Sequence, residues 1–162
     1  MKELLDLPDY NWDKYFMDIA ELGSSRSKDP NTKVGACIVK DKKVLSIGYN
    51  GAPRKFPDEL VPTSNDITKP LEEQKYAYVC HAEPNAILNY GGSIKDFTGA
   101  KMYLTLFPCH ECAKLIIQAG IDEIIYKDIY KRDDNTMRMS RLLLDLCHVK
   151  YRQFKEDISS DC

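Results

Sequence analysis

Two short motifs constrain the fold of this chain more than any other feature of its sequence. His81-Ala82-Glu83 supplies one imidazole, and Pro108-Cys109-His110-Glu111-Cys112 supplies two thiols. One His and two Cys are three ligands for Zn²⁺, which usually takes four, and no fourth Cys or His stands at the customary spacing from either motif. A catalytic zinc needs such an open position. The motifs therefore predict one catalytic zinc ion that joins two distant segments of the chain.

The residues around the motifs leave alternatives open. A lone Cys-x-x-Cys is also common as a redox pair, and a lone His-Ala-Glu carries almost no information. His110 beside Cys109, or Cys80 beside His81, could complete the coordination sphere and make the zinc structural. Glu83 is too near His81 to be an easy fourth ligand, but it is well placed to hydrogen-bond a water on the metal. We therefore expect Glu83 to carry protons in a zinc-dependent reaction.

The composition is that of an ordinary globular domain. Of the 162 residues, 43% are hydrophobic and 30% are charged, so the chain can bury a core. We expect a single domain over residues 1–162, with its core at about 10–154. The formal net charge of −2 indicates no nucleic-acid partner, because surfaces that bind polyanions are basic. A small anionic substrate is compatible with this charge, since one phosphate needs only a local pair of basic groups.

The sequence shows no targeting or membrane segment. Residues 1–6 include acidic side chains where a signal peptide would be basic and apolar, and no run of about 18 apolar residues occurs. The six cysteines do not follow the spacing of a disulfide scaffold, which favours reduced thiols. We expect a cytoplasmic protein without a membrane partner.

The apolar periodicity predicts a hairpin followed by alternating helices and strands. Helices are predicted at about 12–23, 83–89, 110–119 and 136–147, and strands at about 34–39, 44–49, 101–107, 123–126 and 149–154. Gly91-Gly92 and Gly120 are predicted helix stops. This order predicts an α/β fold, a three-layer α/β/α sandwich with a five-stranded mixed sheet. Both zinc motifs then fall at helix N-termini, where the helix dipole favours thiolate over thiol.

With these residues in place, the chain resembles the zinc-dependent cytidine and deoxycytidylate deaminase superfamily. His-x-Glu combined with Pro-Cys-x-x-Cys is the signature of zinc-dependent base deaminases. Arg26-Ser27-Lys28-Asp29-Pro30 and Gly48-Tyr49-Asn50-Gly51 narrow the resemblance to the deoxycytidylate (dCMP) deaminases. The resemblance covers roughly residues 10–154 and implies the cytidine deaminase-like fold.

The resemblance implies a hydrolase that converts dCMP to dUMP and ammonia and so supplies dUMP for dTMP synthesis. His81, Cys109 and Cys112 would hold Zn²⁺ as the cofactor, and Glu83 would be the catalytic residue that moves protons between water, N3 of the base and the leaving amine. Zinc would lower the pKa of bound water so that hydroxide, the nucleophile that adds to C4 of cytosine, can form at neutral pH.

The resemblance also implies a set of substrate-binding residues. Asn50 would bind the sugar hydroxyl, and the backbone at Ala82 would meet the pyrimidine carbonyl. Arg26 and Lys28 are the expected phosphate contacts, and Tyr130 is a weaker candidate. From residue type alone, Arg26 and Lys28 would belong to a solvated loop, and only the family resemblance favours the phosphate.

Regulation is implied in the same way. The resemblance implies a homo-oligomer, usually a hexamer, activated by dCTP with Mg²⁺ and inhibited by dTTP. The segment Asn50–Pro70 has four prolines and no apolar periodicity, and ordered loops of this length are commonly functional. We expect a regulatory site there at Gly51, Asp58 and Glu59, although the two acids could equally form a solvated rim.

Two residues depart from the family pattern, and other functions stay open. His110 stands where relatives often carry a non-coordinating residue, and Pro84 replaces the usual apolar residue after Glu83. Because Pro84 has no N–H, we expect the helix to begin at or after His81, where that N–H would have no helical partner. The alternatives are a deaminase of another cytosine nucleotide or base and a catalytically silent zinc or nucleotide-binding domain.

Overall fold

A computed structural model of the protein describes residues 11–130 and 135–156. That part of the chain contains four α-helices and five strands: an initial helix and a hairpin are followed by three helices that alternate with three strands. The elements are α1 (Trp12–Ser24), β1 (Gly35–Lys40), β2 (Lys43–Tyr49), α2 (Ala82–Asn89), β3 (Lys101–Leu106), α3 (His110–Ala119), β4 (Glu123–Asp128), α4 (Asn135–Leu146) and β5 (Lys150–Gln153). Short 3₁₀ turns lie at 58–60, 71–73, 75–77 and 94–97.

The strands form one mixed sheet in the order β2-β1-β3-β4-β5. Strand β1 is antiparallel to both β2 and β3, whereas β3, β4 and β5 run parallel to one another. The parallel strands are connected through α3 and α4. The predicted five-stranded mixed sheet is therefore confirmed, and all of its strand boundaries agree with the prediction within two residues.

Helices cover both faces of the sheet, as strand β1 demonstrates. Cys37 and Val39 belong to a core shared with α1, while Ala36 and Ile38 belong to the larger core shared with α2, α3 and α4. These four side chains are at most 3% exposed, so the strand has an uninterrupted apolar sequence instead of an alternating one. The predicted three layers follow from this two-sided burial.

Glycine allows two helices to approach the hairpin closely. A Cβ at Gly35 would lie 1.9 Å from the Ala20 carbonyl oxygen of α1, and one at Gly48 would lie 2.2 Å from the Ala86 nitrogen of α2. Helix α2 is further attached to β2 because the Ser46 hydroxyl donates to the Ala86 carbonyl at 2.6 Å. These contacts fix the position of α2, whose first residues carry part of the candidate site.

The end of α2 differs from the prediction. The helix ends at Asn89, and Tyr90 takes an extended conformation, so neither Gly91 nor Gly92 adopts the left-handed conformation of a glycine C-cap. The Tyr90 ring packs on Phe97 with centroids 4.8 Å apart, and this contact turns the chain away from the helix. Helix α3, in contrast, ends as predicted at Gly120, whose φ is +82°. No helix among the described residues is long and apolar enough to cross a bilayer.

Strand direction places the functional segments at one edge of the sheet. Because β1 is antiparallel to its two neighbours, the end of β2, the start of β1 and the end of β3 lie side by side. The parallel pairing adds the end of β4 to the same edge. Asn50, Val34, Cys109 and Tyr130 follow or precede these strand ends and therefore lie along one side of the molecule.

Candidate active site

The two zinc motifs begin two helices that lie next to each other. His81 is the N-cap of α2 and Cys109 is the N-cap of α3, both with extended backbone, and Cys112 occupies the first turn of α3. The Asn85 N–H donates to the His81 carbonyl, and the Ala113 N–H donates to the Cys109 carbonyl, which closes the first helical turn in each case. The prediction that both motifs fall at helix N-termini is confirmed.

The three predicted ligand atoms converge. His81 Nδ1 lies 3.3 Å from Cys112 Sγ and 3.6 Å from Cys109 Sγ, and all three atoms are within 4.8 Å of one another. A tetrahedral zinc with Zn–S of about 2.3 Å and Zn–N of about 2.0 Å separates N from S by about 3.5 Å. The observed spacing fits that geometry, so the residues present fit a zinc ion.

Neither alternative fourth ligand joins this group. In residues 11–130 and 135–156, only His81, Cys109 and Cys112 form a cluster of three or more potential metal ligands. His110 directs its Nε2 towards the Glu111 carboxylate, 3.1 Å away, and its buried Nδ1 has no hydrogen-bond partner. The set of three ligands leaves the open position that a catalytic zinc requires.

The electrostatics of the cluster favour a bound cation. Hydrogen bonds from Cys112, and then from His81, lower the pKa of Cys109 to about 4, which favours the thiolate form. The hydrogen bond with that sulfur, followed by burial and by Glu83, raises the pKa of Cys112. The bond to Cys109 also raises the pKa of His81. A divalent cation would balance the charge gathered here and allow the second thiol to ionise.

Glu83 lies in the first turn of α2, where it is buried and borders the cluster. Its side chain is 4% exposed, and this burial raises the pKa of its carboxyl group. The Cys112 thiol lies within hydrogen-bonding reach of the same carboxyl. A carboxyl group with a raised pKa is a better proton acceptor when ionised and can release that proton again in a later step. The position and environment of Glu83 agree with the predicted proton carrier.

Pro84 fits the helix without loss of a hydrogen bond. Helix α2 begins at Ala82, so Pro84 is its third residue, and the first helical N–H bond is donated by the next residue, Asn85. The first few N–H groups of any helix lack a helical partner. The predicted helix start at or after His81 is confirmed.

Asn50 lies beside the cluster, and its carboxamide already has protein partners. Its Oδ1 accepts from the Val34 N–H at 2.8 Å, and its Nδ2 donates to the Thr32 carbonyl at 2.9 Å. Gly51 and Cys80 exchange backbone hydrogen bonds of 3.0 and 2.9 Å, which places Asn50 and His81 next to each other across this bridge. Ala82, the predicted contact of the pyrimidine carbonyl, is fully buried at the start of α2.

The predicted phosphate residues lie in different surroundings. Lys28 contacts the Asp58 carboxylate, which raises the Lys28 pKa, and its side chain is 74% exposed. Arg26 instead lines a shallow apolar depression on the α1 side of the sheet, formed largely with Leu22, Ile47 and Tyr49. This placement favours Lys28 over Arg26 as a phosphate contact.

The remaining predicted residues lie on the surface. Tyr130 follows β4 by two residues and is 38% exposed. Asp58 and Glu59 are exposed in the 3₁₀ turn at 58–60, whereas Gly51 forms the bridge to Cys80. The structure therefore separates Gly51, beside the cluster, from the two acids with which it was grouped in the sequence.

Sequence reasoning assigned no role to one buried pair at this site. Lys75 Nζ lies 2.8 Å from Asp29 Oδ2, and the two side chains are 7% and 3% exposed. Asp29 lies inside the motif that narrowed the resemblance, which is the only signal that pointed to it. Lys75 lies in a polar stretch without periodicity, and nothing in its local sequence distinguishes it from an exposed lysine.

Comparison with known proteins agrees with this geometry. The family model for the cytidine and deoxycytidylate deaminase zinc-binding region matches residues 10–128. Human deoxycytidylate deaminase is 47% identical over 144 residues, and the mouse protein of that name is 48% identical; each match covers 88% of this chain and 79% of the relative. The crystal structure of dCMP deaminase from the cyanophage S-TIM5, in complex with dCMP and dUMP, superimposes with a TM-score of 0.67. It is 28% identical, and the match covers 87% of this chain and 95% of the phage chain.

Proposed function

This chain belongs to the cytidine and deoxycytidylate deaminase family, and we propose that it catalyses the hydrolytic deamination of dCMP to dUMP and ammonia. One observation carries the proposal from the structure itself. His81, Cys109 and Cys112 converge at two helix N-termini, with the buried carboxyl group of Glu83 beside them. The relatives named deoxycytidylate deaminase support dCMP as the substrate.

We propose that His81 Nδ1 and the sulfurs of Cys109 and Cys112 hold a zinc ion. Their spacing and the thiolate character of Cys109 support this assignment. Zinc, when bound, supplies a Lewis acid that makes water a nucleophile at neutral pH. The protein contributes two rigid helix ends that keep the three ligands in place.

Glu83 then moves the protons of the reaction. In the net reaction, the oxygen of water forms a bond to C4 of cytosine, the C4–N4 bond breaks, and N4 leaves as ammonia. The carboxylate of Glu83 accepts a proton from the attacking water and delivers it to N3. It then accepts the remaining proton from the new hydroxyl group on C4 and transfers it to the leaving amine. Burial raises the pKa of Glu83, which supports this alternation between proton acceptor and donor.

Other residues would orient the nucleotide at the same edge of the sheet. We propose that Asn50 binds the sugar hydroxyl, that the backbone at Ala82 meets the pyrimidine carbonyl, and that Lys28 contacts the phosphate. Arg26 and Tyr130 are weaker phosphate candidates because Arg26 lies towards α1 and Tyr130 lies beyond β4. A phosphate contact would favour dCMP over deoxycytidine.

A substrate panel tests this function directly. The purified protein, with its zinc content measured, is incubated with dCMP, CMP, deoxycytidine and dCTP while the cytosine absorbance and released ammonia are followed. We expect one equivalent of zinc and turnover of dCMP above the other three. Glu83→Gln should retain zinc and lose turnover, because an amide preserves the shape but cannot carry the proton.

The panel distinguishes the alternatives. Turnover mainly of CMP, dCTP or deoxycytidine would identify a deaminase of another cytosine compound. Zinc binding without ammonia release from any of them would identify a catalytically silent zinc domain. Activity of Glu83→Gln within tenfold of the parent protein would contradict the role of Glu83.

We also propose the regulation that the resemblance implies. The protein would be a cytoplasmic homohexamer, activated by dCTP with Mg²⁺ and inhibited by dTTP, with Asp58 and Glu59 near the regulatory site and Gly51 the weaker candidate because it lies beside the zinc cluster. Exposure of both acids supports access of a ligand to this segment. Light scattering measures the oligomer, and dCMP saturation curves with and without dCTP and Mg²⁺ measure the regulation. Hyperbolic curves unchanged by dCTP would exclude the activation.

A further inference from the structure

We propose that Asp29 and Lys75, which lie beside the candidate metal ligands, form a positioning pair. The pair fixes the Asn50 carboxamide in the orientation that accepts a hydrogen bond from the 3′-hydroxyl of a deoxynucleotide. The pair would thereby determine how strongly the site selects a sugar that carries this hydroxyl. The inference rests on the proposed dCMP deamination. It goes beyond that function by assigning a role to two residues that do not touch the reacting atoms.

The pair is buried and joins two segments that come together at the site. Asp29 lies in the loop of residues 25–34 and Lys75 in the segment of residues 50–80, and their Nζ–Oδ2 distance is 2.8 Å. Two charges removed from water need good geometry and further hydrogen bonds to be tolerated. The geometry is good here, and Asp29 Oδ1 also accepts from the backbone N–H groups of Asn31 at 2.8 Å and Thr32 at 3.0 Å.

These hydrogen bonds lead from Lys75 to Asn50. Lys75 forms an ion pair with the Asp29 carboxylate, and that carboxylate accepts a hydrogen bond from the Thr32 backbone N–H. The Thr32 carbonyl in turn accepts from Asn50 Nδ2 at 2.9 Å, and Asp29 Oδ2 lies 3.5 Å from the same nitrogen. Asn50 is 6% exposed, so its orientation depends on these partners and not on water.

The hydrogen-bond partners of Asn50 also determine which atom of its carboxamide can bind a ligand. Nδ2 directs its two hydrogens to Thr32 and Asp29, while Oδ1 accepts from the Val34 N–H at 2.8 Å. A carbonyl oxygen has two lone pairs, so one remains on Oδ1. A flipped amide would place Nδ2 against the Val34 N–H and Oδ1 against two acceptors. The fixed orientation therefore offers an acceptor, to which a sugar hydroxyl donates.

The test compares dCMP with 2′,3′-dideoxycytidine monophosphate, which keeps the base and the phosphate but lacks the 3′-hydroxyl. In the parent protein, kcat/KM for dCMP should be roughly tenfold or more above that for the dideoxy nucleotide, because one hydrogen bond to a fixed acceptor contributes about this factor. Lys75→Met should reduce this preference to within about threefold of unity, because the carboxamide is no longer held. Zinc content and thermal midpoint are measured on the same samples.

A purely structural role gives a different result. If the pair only stabilises the fold, Lys75→Met lowers the thermal midpoint and lowers kcat/KM equally for both nucleotides, so the preference stays and the proposal is overturned. A parent protein that deaminates both nucleotides equally also overturns it, since Asn50 would then not bind the hydroxyl. A parent protein inactive on dCMP and on the other cytosine compounds contradicts the proposed function itself.

Two further variants keep the test decisive. Lys75→Gln retains a hydrogen-bond donor towards Asp29 without the charge. This variant should fold even where Lys75→Met does not, and its preference for dCMP should lie between those of the parent and of Lys75→Met. A preference unchanged from the parent in Lys75→Gln, together with a lowered thermal midpoint, would overturn the proposal. Lys69→Met is the matched control, because Lys69 lies in the same segment with 45% of its side chain exposed and should leave the preference unchanged.

Discussion

Two ion pairs join the 25–34 loop to the 50–80 segment, and they differ in burial more than in anything else. Lys28 contacts Asp58, and the neighbouring Asp29 contacts Lys75. In the first pair, the side chains are 74% and 43% exposed; in the second, they are 3% and 7% exposed. Lys28 and Asp29 are adjacent in one loop and both form ion pairs, but the pair of Lys28 is exposed to water and the pair of Asp29 is buried.

This difference in burial separates a replaceable contact from a fixed one. Water and salt screen an exposed pair, and an incoming anion can take the place of its carboxylate. A buried pair has no such substitute, so loss of one partner leaves an uncompensated charge. We infer that Lys28 can exchange Asp58 for a phosphate, whereas the pair of Asp29 and Lys75 belongs to the scaffold that holds Asn50.

The largest expected effect is on stability, and it comes from the buried pair. Lys75→Met should lower the free energy of unfolding by about 3–5 kcal/mol, because it leaves the Asp29 carboxylate buried without its cation. Urea unfolding of the zinc-loaded protein measures this change. Asp58→Asn, which removes one partner of the exposed pair, should leave the urea midpoint unchanged. Equal midpoint shifts in the two variants would show that burial does not distinguish the pairs.

The same contrast predicts a change in pH dependence. Burial opposes ionisation of Asp29, but hydrogen bonds from Lys75, Thr32 and Asn31 outweigh it and place the pKa of this carboxyl below its ordinary 3.8. The folded pKa lies below the unfolded one, so the stability that Asp29 contributes is present above about pH 4 and lost as the pH falls through the folded pKa.

Lys75→Met should reverse the sign of this contribution. Without the cation, burial raises the folded pKa of Asp29 above its unfolded value, so the variant loses stability as the pH rises from about 4 towards that pKa. The difference in unfolding free energy between parent and variant should therefore grow between about pH 4 and pH 7. Urea titrations across this range measure it, with Lys69→Met as the control. A difference that does not change with pH would show that Asp29 is not the group responsible.

Next in size is the effect of Lys28 on substrate affinity. If Lys28 contacts the phosphate, Lys28→Ala should raise KM for dCMP by roughly tenfold, the contribution of one charge-assisted hydrogen bond, and should barely change KM for deoxycytidine. Arg26→Ala should have a smaller effect, because Arg26 lies on the α1 side. Lys33→Ala is the matched control within the same loop. Equal effects of Lys28→Ala on both substrates would show that the loop has a structural role only.

The candidate metal cluster and the fold could be predicted because their signals are local in sequence. His81, Cys109 and Cys112 are recognisable by residue type and spacing, and each motif is followed directly by a helical pattern. Short apolar runs bounded by turn residues identified the strands, and Gly120 ended α3 as a left-handed C-cap. Gly91-Gly92 looked like the same signal, but the contact of Tyr90 with Phe97 determined the end of α2 instead.

The buried pair could not be predicted because its signal is not local. Asp29 and Lys75 are 46 positions apart, and neither lies in a helix or strand whose periodicity would indicate burial. Asn50 itself was predicted from the resemblance, but its carboxamide partners, which come from the 25–34 loop, could not be predicted for the same reason. Sequence patterns indicate which face of an element is buried, but they do not indicate which two loops meet.

The smallest expected effect concerns Asp58 and tests whether the exposed pair is replaceable. In the free protein, Lys28 contacts Asp58, so a phosphate would compete with this carboxylate for the ammonium group. Asp58→Asn removes the competitor and should lower KM for dCMP by about twofold without changing kcat, and the effect should disappear at high salt, where exposed charges are screened. Glu59→Gln is the matched control, because Glu59 is also exposed and raises the Lys28 pKa only through a weaker charge effect.

A higher KM for Asp58→Asn would mean that the carboxylate orients Lys28 for the substrate instead of competing with it. The exposed pair would then resemble the buried one in function, despite its exposure to water.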